Sequence, residues 1–329
     1  MTGNLHIMPP KAPLEMRAQN LDVLYADPKA PPLREDQTVL FWRLVVFGPA
    51  ILATLGFGWI MWSWFGNDGL NGVEATLLGL MAFNVFWLCL TVCTVGLGLG
   101  ALTRFSRPDR PAFPMKVALL MPIYNEVPWY VLGNARSMLE ELRARGGAHE
   151  YAMFILSDTR DDVIAKAEQE SIRALQATLS PDLKIYYRRR AENTDRKVGN
   201  IAEWVQNWGA EWPAMLVLDA DSLMSGRAIA RLADALARDP NAGLIQSCPQ
   251  LIGAQTVFSR MQQFANGVYG MALAEGLARW TGHEGNYWGH NAIIRTEAFA
   301  ASAGLPRLRS LNGRDQLIMS HDFVEAGLL

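Results

Sequence analysis

The sequence predicts an α/β chain in two parts: a transmembrane helical hairpin, then a mostly parallel sheet with helices on both faces. Three observations carry this. Two long apolar runs, from Leu44 to Phe65 and from Ala75 to Leu102, stand close together with no Lys or Arg between Arg43 and Arg104. After Met115, short strand-like apolar runs alternate with helical ones, the pattern of a parallel sheet covered by helices. Polar clusters recur where those strands end, chief among them Asp219-Ala220-Asp221 behind the apolar run from Met215 to Leu218.

Composition excludes several classes. Half the residues are hydrophobic and 19% are charged, with a net charge of −2. That leaves no basic field for nucleic acid, and no nucleic-acid partner is expected. Cys89, Cys93 and Cys248 lack metal-ligand spacing; Cys89 and Cys93, four apart in an apolar run, read as small buried apolar residues. The five histidines do not cluster, which removes a histidine-only zinc site.

In chain order, residues 1–39 are Pro-rich, with Pro9-Pro10, Pro13, Pro28 and Pro31-Pro32, and show no period. They read as a disordered cytoplasmic tail. No basic segment runs directly into an apolar one, so no cleaved signal peptide is expected. Two transmembrane helices are expected over 40–104, each run exceeding the roughly 20 residues of a span. Pro49, Gly56 and Gly58 are tolerable there, and Trp59, Trp62 and Trp64 suit an interfacial belt. A polar hinge from Gly66 to Glu74 separates the runs, and Asn84 is the strongly polar residue inside the second. The alternative is a pair of buried core helices. Arg34 and Arg43 flank one side of the pair, and Arg104, Arg107, Arg110 and Lys116 the other. Both flanks are therefore expected in the cytoplasm and the Asn67–Glu74 hinge outside. Gly96, Gly98 and Gly100 would suit close helix contact, although an i, i+2 row does not keep one helical face. Residues 105–115 read as a linker.

A cytoplasmic domain follows over 116–329. Strands are expected at 117–121, 151–156, 183–187, 215–218 and around 243–246. Helices are expected at 131–145, 161–178, from Lys197 to about Trp208, and 226–237. Tyr124-Asn125-Glu126, Ser157-Asp158 and the Asp219/Asp221 pair all fall at strand ends, the binding edge of an open α/β sheet. Taken singly, such clusters are turns and caps. Together with the cationic loop Arg188–Lys197, they suggest a nucleotide diphosphate compound with a metal, since Mg²⁺ is usually held by one or two carboxylates and substrate phosphates. No G-x-G-x-x-G or G-x-x-x-x-G-K-[ST] stands at a strand-to-helix turn, against dinucleotide or P-loop chemistry.

Pro122–Glu126, Ser157-Asp158, Lys197–Asn200 and Asp219–Asp221 come in the order and rough spacing of a known family. The chain resembles the inverting family 2 nucleotide-sugar glycosyltransferases, whose processive members make cellulose and hyaluronan. Tyr186–Arg190, Leu218–Ser222, NYWGHNAIIR (286–295) and SHDFVEA (320–326) resemble most the branch that builds osmoregulated periplasmic glucans. The resemblance covers about Met115 to Leu329, and the hairpin in arrangement. It implies a Rossmann-like, type A nucleotide-sugar-binding domain and a β-glucosyltransferase of the bacterial inner membrane. Expected partners are UDP-glucose, a glucan acceptor, membrane lipid and periplasmic glucan-processing proteins.

By resemblance, Asp158 would hydrogen-bond the uracil or ribose, with Tyr124, Asn125 and Glu126 beneath it. Lys197 would approach the diphosphate, Asp219 the ribose side, and Asp221, with Asp219, the Mg²⁺ (or Mn²⁺). Asp322 would be the general base on the acceptor hydroxyl, with His290 and Asn291 near donor and acceptor. Arg295 fits a structural ion pair equally well. His321 stands where these synthases usually carry an acidic residue. Arg307, Arg309 and Arg314 occupy the place of an expected Gly-rich loop. The family continues beyond the base with a Q-x-x-R-W motif and further membrane helices, so the domain is expected to be cut short at Leu329. A synthase of another polysaccharide, or an inactive fragment that binds nucleotide sugar or partners, remain the alternatives at this stage.

Overall fold

A computed structural model describes residues 8–23, 37–65, 69–102, 113–309, 313 and 315–329. The chain divides into two compact units: Met1–Pro31 with Asp109–Ser247 and Asn286–Leu329, and Pro32–Pro108 with Cys248–Gly285. Residues 248–285, inside the expected domain over 116–329, fall in the same compact unit as the hairpin. The expected linker lies largely outside the described residues, as do Arg34, Arg104, Arg107, Arg110 and Arg314.

The first unit is built on a six-stranded sheet. Its strands are β1 (Lys116–Ile123), β2 (Glu150–Ser157), β3 (Lys184–Arg189), β4 (Ala214–Val217), β5 (Leu244–Gln246) and β6 (Ala292–Arg295). They stand in the order β3-β2-β1-β4-β6-β5. β1 pairs in parallel with β2 and β4, and β2 with β3. β6 runs antiparallel to both β4 and β5. Strand alternation sends the two faces into separate cores. Val117, Leu119, Met121 and Ile123 face α3 (Pro128–Arg145), α4 (Asp162–Thr178) and α6 (Gly226–Arg238). Ala118 and Leu120 face α5 (Arg196–Trp208) and α9 (Thr296–Ser302). Strands buried on both faces carry near-continuous apolar sequence, which is why β1, β2 and β4 are legible. The chain leaves β1 toward β2 and β3, then returns to place β4 on β1's other side. The order reverses there, and it is beyond the carboxyl ends of strands at such a switch point that open α/β sheets bind ligands.

Residues 8–23 of the expected disordered tail are not disordered. Residues 8–23 pack on this unit: Ala12 N–H donates to Asn207 O at 2.8 Å, and the Trp208 indole to Pro9 O at 3.0 Å. Gln19 N–H donates to Gly304 O at 2.7 Å, and Met8, Leu14 and Met16 press on the second core. A Pro-rich segment cannot make helix or ladder bonds within itself, so it reads as linker composition; here its partners come from α5 and from the chain in and just after α9.

The second unit holds α1 (Gln37–Phe65) and α2 (Gly72–Leu102), joined by α7 (Val257–Ala265), a π turn (Asn266–Gly270) and α8 (Met271–Thr281). Both long helices are apolar enough to cross a membrane, and only 11% and 6% of their most apolar stretches are buried. That exposure excludes the buried-core alternative. Asn71 starts α2 with a capping box, its Oδ1 accepting from Val73 and Glu74 N–H while Glu74 accepts from Asn71 N–H. Of the three glycines 96, 98 and 100, Gly98 is the one where a Cβ would collide with a neighbour. A Cβ there would lie 1.7 Å from Ala272 O, and one on Gly276 would lie 2.0 Å from Thr94 O.

Candidate active site

At the end of β4 the chain turns sharply. Leu218 N–H still pairs with Leu120 O at 2.8 Å, after which Asp219 N–H is held by Ser222 Oγ at 3.0 Å and Ser222 N–H by Asp219 O at 3.0 Å. The turn presents two carboxylates with different surroundings. Asp219 is half-buried and bonded to Lys197 Nζ, with His290 Nε2 3.9 Å from its other oxygen. Asp221 is exposed and has no hydrogen-bond or ion-pair partner among the described residues. A carboxylate unengaged by the protein beside an engaged one is a donor set that fits a hard divalent cation.

Antiparallel β6 brings the second half of the site. Because Ala292 pairs with Val217, the loop leading into β6 arrives beside the carboxyl end of β4. Asn291 N–H donates to Val217 O at 2.7 Å with its backbone at φ 53°, and Asn291 O accepts from Ser247 Oγ at 2.5 Å. Ahead of it lies Gly289 at φ 79°. Its carbonyl accepts from Lys197 Nζ at 2.8 Å, and the Asp322 carboxylate lies against its α-carbon. A Cβ on Gly289 would fall 2.6 Å from Asp322 Oδ2. One glycine thus touches the lysine of the β4 crevice and the carboxylate at the start of α10 (His321–Leu328). Among the described residues, His290 Nδ1 and Asn291 Oδ1 are buried without hydrogen-bond partners. Tyr287, 2% exposed, sits among these carboxylates. Burial first, then the charges of Glu325, Asp322 and Asp219, hold its phenol well above the usual tyrosine range.

His321 Nδ1 stands between two carboxylates, 3.1 Å from Asp322 Oδ1 and 3.2 Å from Glu325 Oε1, with Glu325 2% exposed. The ligand atoms of the three lie within 4.8 Å of one another, a spacing the bridging imidazole accounts for. Burial is the largest influence on His321 and lowers its pKa, but the Glu325 hydrogen bond and the charges of Glu325 and Asp322 together raise it above the ordinary 6.5. A raised folded value contributes stability that is full below the unfolded pKa and lost as pH rises through the folded one. Thermal unfolding followed by tryptophan fluorescence should show that loss on the alkaline side of about pH 6.5, and His321→Gln should abolish it. Identical pH profiles for the two proteins would exclude His321 as the source.

The cationic loop is the largest correction. The guanidinium groups expected to face phosphate are engaged inside the unit. Arg188 bonds Glu203 at 2.6 Å and the Asn200 side chain. Arg189 donates to Thr159 O at 2.8 Å and to Asp162 at 3.0 Å. Arg190 makes a bidentate pair with Asp158, at 2.6 and 2.7 Å. Of this run, Lys197 reaches the β4 crevice, while the exposed Arg196 side chain has no partner among the described residues. Asp158, expected to meet uracil or ribose directly, is 5% exposed and has both oxygens on Arg190. Arg190 in turn donates to Thr194 O at 3.1 Å and Arg196 O at 3.0 Å. The pair therefore fixes the loop that delivers Lys197; removing one partner of such a buried pair costs about 3–5 kcal/mol. Gly199 is required there, since a Cβ would lie 2.1 Å from Thr194 O. Asn200 is fully buried and donates to Leu156 O at 2.9 Å. Arg295 makes no ion pair among the described residues but donates to the Leu236, Asp239 and Ala242 carbonyls near the end of α6.

At the end of β1, Asn125 takes φ 56° and braces the turn after β2. Its N–H donates to Thr159 Oγ1 at 2.9 Å and its Oδ1 accepts from Arg160 and Asp161 N–H. Buried Glu168 holds the same turn, accepting from Ser157 Oγ, Thr159 Oγ1 and Tyr187 OH. Tyr124 and Glu126 are exposed. A cavity of about 390 Å³ opens here, lined by Thr159, Arg160, Arg189, Asn193 and Thr194 among others. Gly289, Tyr287, Arg190 and Glu325 were not singled out from sequence; the first two lie within NYWGHNAIIR, where neither spacing nor residue type distinguishes them.

Relatives follow the same line. A glucans biosynthesis glucosyltransferase H from Bradyrhizobium diazoefficiens is 41% identical over 98% of this chain and 44% of that protein. Proteins of the same name from Xanthomonas campestris pv. campestris and Shewanella baltica are 39% and 40% identical over 98% of this chain, which covers 51% and 45% of them. The chain spans about half the length of the curated relatives it matches. A solved mannosyltransferase from Pyrobaculum calidifontis, in complex with GDP-Man and Mn²⁺, is 14% identical with a TM-score of 0.40 over 80% of this chain and 56% of that one. The family description "Glycosyl transferase family 2" matches residues 118–302, more than half of the chain, and by that match this chain belongs to glycosyl transferase family 2.

Proposed function

We propose that this chain carries the donor site and base of an inverting β-glucosyltransferase that uses UDP-glucose to extend the backbone of an osmoregulated periplasmic glucan. The carrying observation is Gly289, whose carbonyl holds Lys197 while its α-carbon abuts Asp322. A group bound at Lys197 and a group deprotonated by Asp322 would then be neighbours, as direct displacement requires. The name shared by the relatives supports glucose as the sugar and a glucan as the product.

In this reading Tyr124, Asn125 and Glu126 hold the nucleoside over the cavity beside the Asp158 turn, a volume within the range of small-molecule sites. Asp158 acts through Arg190. Lys197 moves from Asp219 to the diphosphate, and Asp219 turns to the ribose side. Asp221, with Asp219, would hold Mg²⁺ or Mn²⁺, which supplies Lewis-acid neutralisation of the departing diphosphate. Asp322 takes the proton of the acceptor hydroxyl as that oxygen bonds to the anomeric carbon and the bond to UDP breaks, inverting an α donor to a β product. Its Oδ1 stands 3.1 Å from His321 Nδ1, which positions the carboxylate at the start of α10. His290 and Asn291 border donor and acceptor. α1 and α2 would set this machinery in the bacterial inner membrane, with the catalytic domain cytoplasmic.

Separate roles for the two carboxylates make a test. Asp221→Asn keeps shape while removing a charge, and should weaken Mg²⁺-dependent UDP binding in calorimetry by at least about tenfold (about 1.4 kcal/mol). Asp322→Asn should leave that binding within about twofold, a difference under 0.5 kcal/mol. Equal losses in both variants would remove the division between donor and base.

A further inference from the structure

α10 brings a second carboxylate to the site, one with no part in the displacement itself. Glu325 is 2% exposed. Its neighbours Ala326 and Leu329 pack on the second core, and the buried Tyr287 lies within reach of its charge. An ionised carboxylate in such surroundings is costly unless a cation and a hydrogen bond meet it. Among the described residues, the hydrogen-bond partner of the Glu325 side chain is His321 Nδ1, 3.2 Å away and one helical turn back. Lys197, whose charge also reaches His321, is taken up by Asp219 and by Gly289 O. The imidazole is the group left to neutralise Glu325.

The same nitrogen stands 3.1 Å from Asp322 Oδ1. The hydrogen bond a histidine makes sets which ring nitrogen carries the proton, so Glu325 keeps a proton on Nδ1, facing both carboxylates. Glu325 and Asp322 favour the charged ring, while burial and Lys197 oppose it, and the carboxylates prevail. Tyr287 faces the same carboxylates from the segment before β6, with its phenol held well above the usual tyrosine range and therefore neutral. Without the positive ring, two carboxylates with oxygens within 4.8 Å of each other would be left together. Like charges that close favour protonation of one of them, and a protonated Asp322 cannot act as a base. We propose that Glu325 is a positioning residue for transfer: it holds His321 as an imidazolium between the two carboxylates, which keeps Asp322 ionised and seated against Gly289. The proposal rests on Asp322 being the base.

The test follows His321 and the transfer rate in the same variants of the full chain. Histidine labelled with carbon-13 at Cε1 reports each ring's titration by NMR, and the signal missing in His321→Gln is that of His321. Incorporation of radiolabel from UDP-glucose into glucan, in membranes carrying the protein, gives the rate against pH. In the parent, His321 should titrate above the ordinary 6.5, and the rate should fall as the imidazolium is lost. Glu325→Gln removes the charge and keeps the shape. It should move both curves to lower pH by about one unit or more, a factor of about ten in proton affinity. UDP affinity should stay within about twofold of the parent. Acidification should then restore turnover, which a merely structural loss would not allow. Glu325→Asp keeps the charge and should place both curves between those of the parent and Glu325→Gln. An unmoved His321 titration in Glu325→Gln would overturn the proposal, because Glu325 would then be neutral in the parent. A rate profile that stays in place while the His321 signal moves would overturn it equally. If Glu325→Gln does not fold, Glu325→Asp decides by the same two criteria. A near-parent rate in Asp322→Asn would instead remove the reading of Asp322 as the base, and the NMR titrations need no turnover.

Discussion

Replacing Asp322 with asparagine is expected to lower the rate of glucose transfer by about 10²–10⁴-fold, the usual contribution of a positioned general base. Asparagine keeps the shape at the start of α10 and the contact with Gly289, but it cannot take the proton of the acceptor hydroxyl. The Asp322 carboxylate is part-buried and its Oδ1 lies 3.1 Å from His321 Nδ1, a contact the asparagine oxygen can keep, so the loss should be chiefly in turnover. Incorporation of radiolabel from UDP-glucose into glucan, measured in membranes carrying the protein beside calorimetric UDP affinity, separates the two. A rate within tenfold of the parent would mean that another group takes the proton.

Gly289→Ala should be nearly as damaging although it changes no charge. The backbone at φ 79° is in a region that L side chains avoid, at a cost of about 1–2 kcal/mol. The added methyl would also fall 2.6 Å from Asp322 Oδ2 and 2.8 Å from its carboxyl carbon, so the carboxylate must move. A displacement of about 1 Å at a reacting group can cost about 10²-fold. UDP binding should weaken less than turnover, since the carbonyl that holds Lys197 is retained. Gly133→Ala in α3 is the control, because a Cβ there meets nothing within 4 Å. If Gly289→Ala turns over like Gly133→Ala, the contact between Gly289 and Asp322 has no part in the chemistry.

By itself, the sequence determined what depends on neighbours along the chain. Apolar runs without charge gave the two long helices, and runs buried on both faces gave β1, β2, β3 and β4 within a few residues of their observed ends. Asp219 and Asp221 at a strand end follow from the same local pattern, as does Asp322 within its motif. Tertiary structure decided the rest, because partners far apart in sequence leave no periodic trace. Arg188, Arg189 and Arg190 read as free cations, yet their carboxylates come from Glu203, Asp162 and Asp158 on other elements. The tail reads as linker because its hydrogen-bond partners lie about 200 to 290 residues away. The antiparallel direction of β6 is likewise not a local property, yet it alone brings Gly289 between Lys197 and Asp322. Residue types supplied the chemistry, and strand direction supplied the distances at which that chemistry operates.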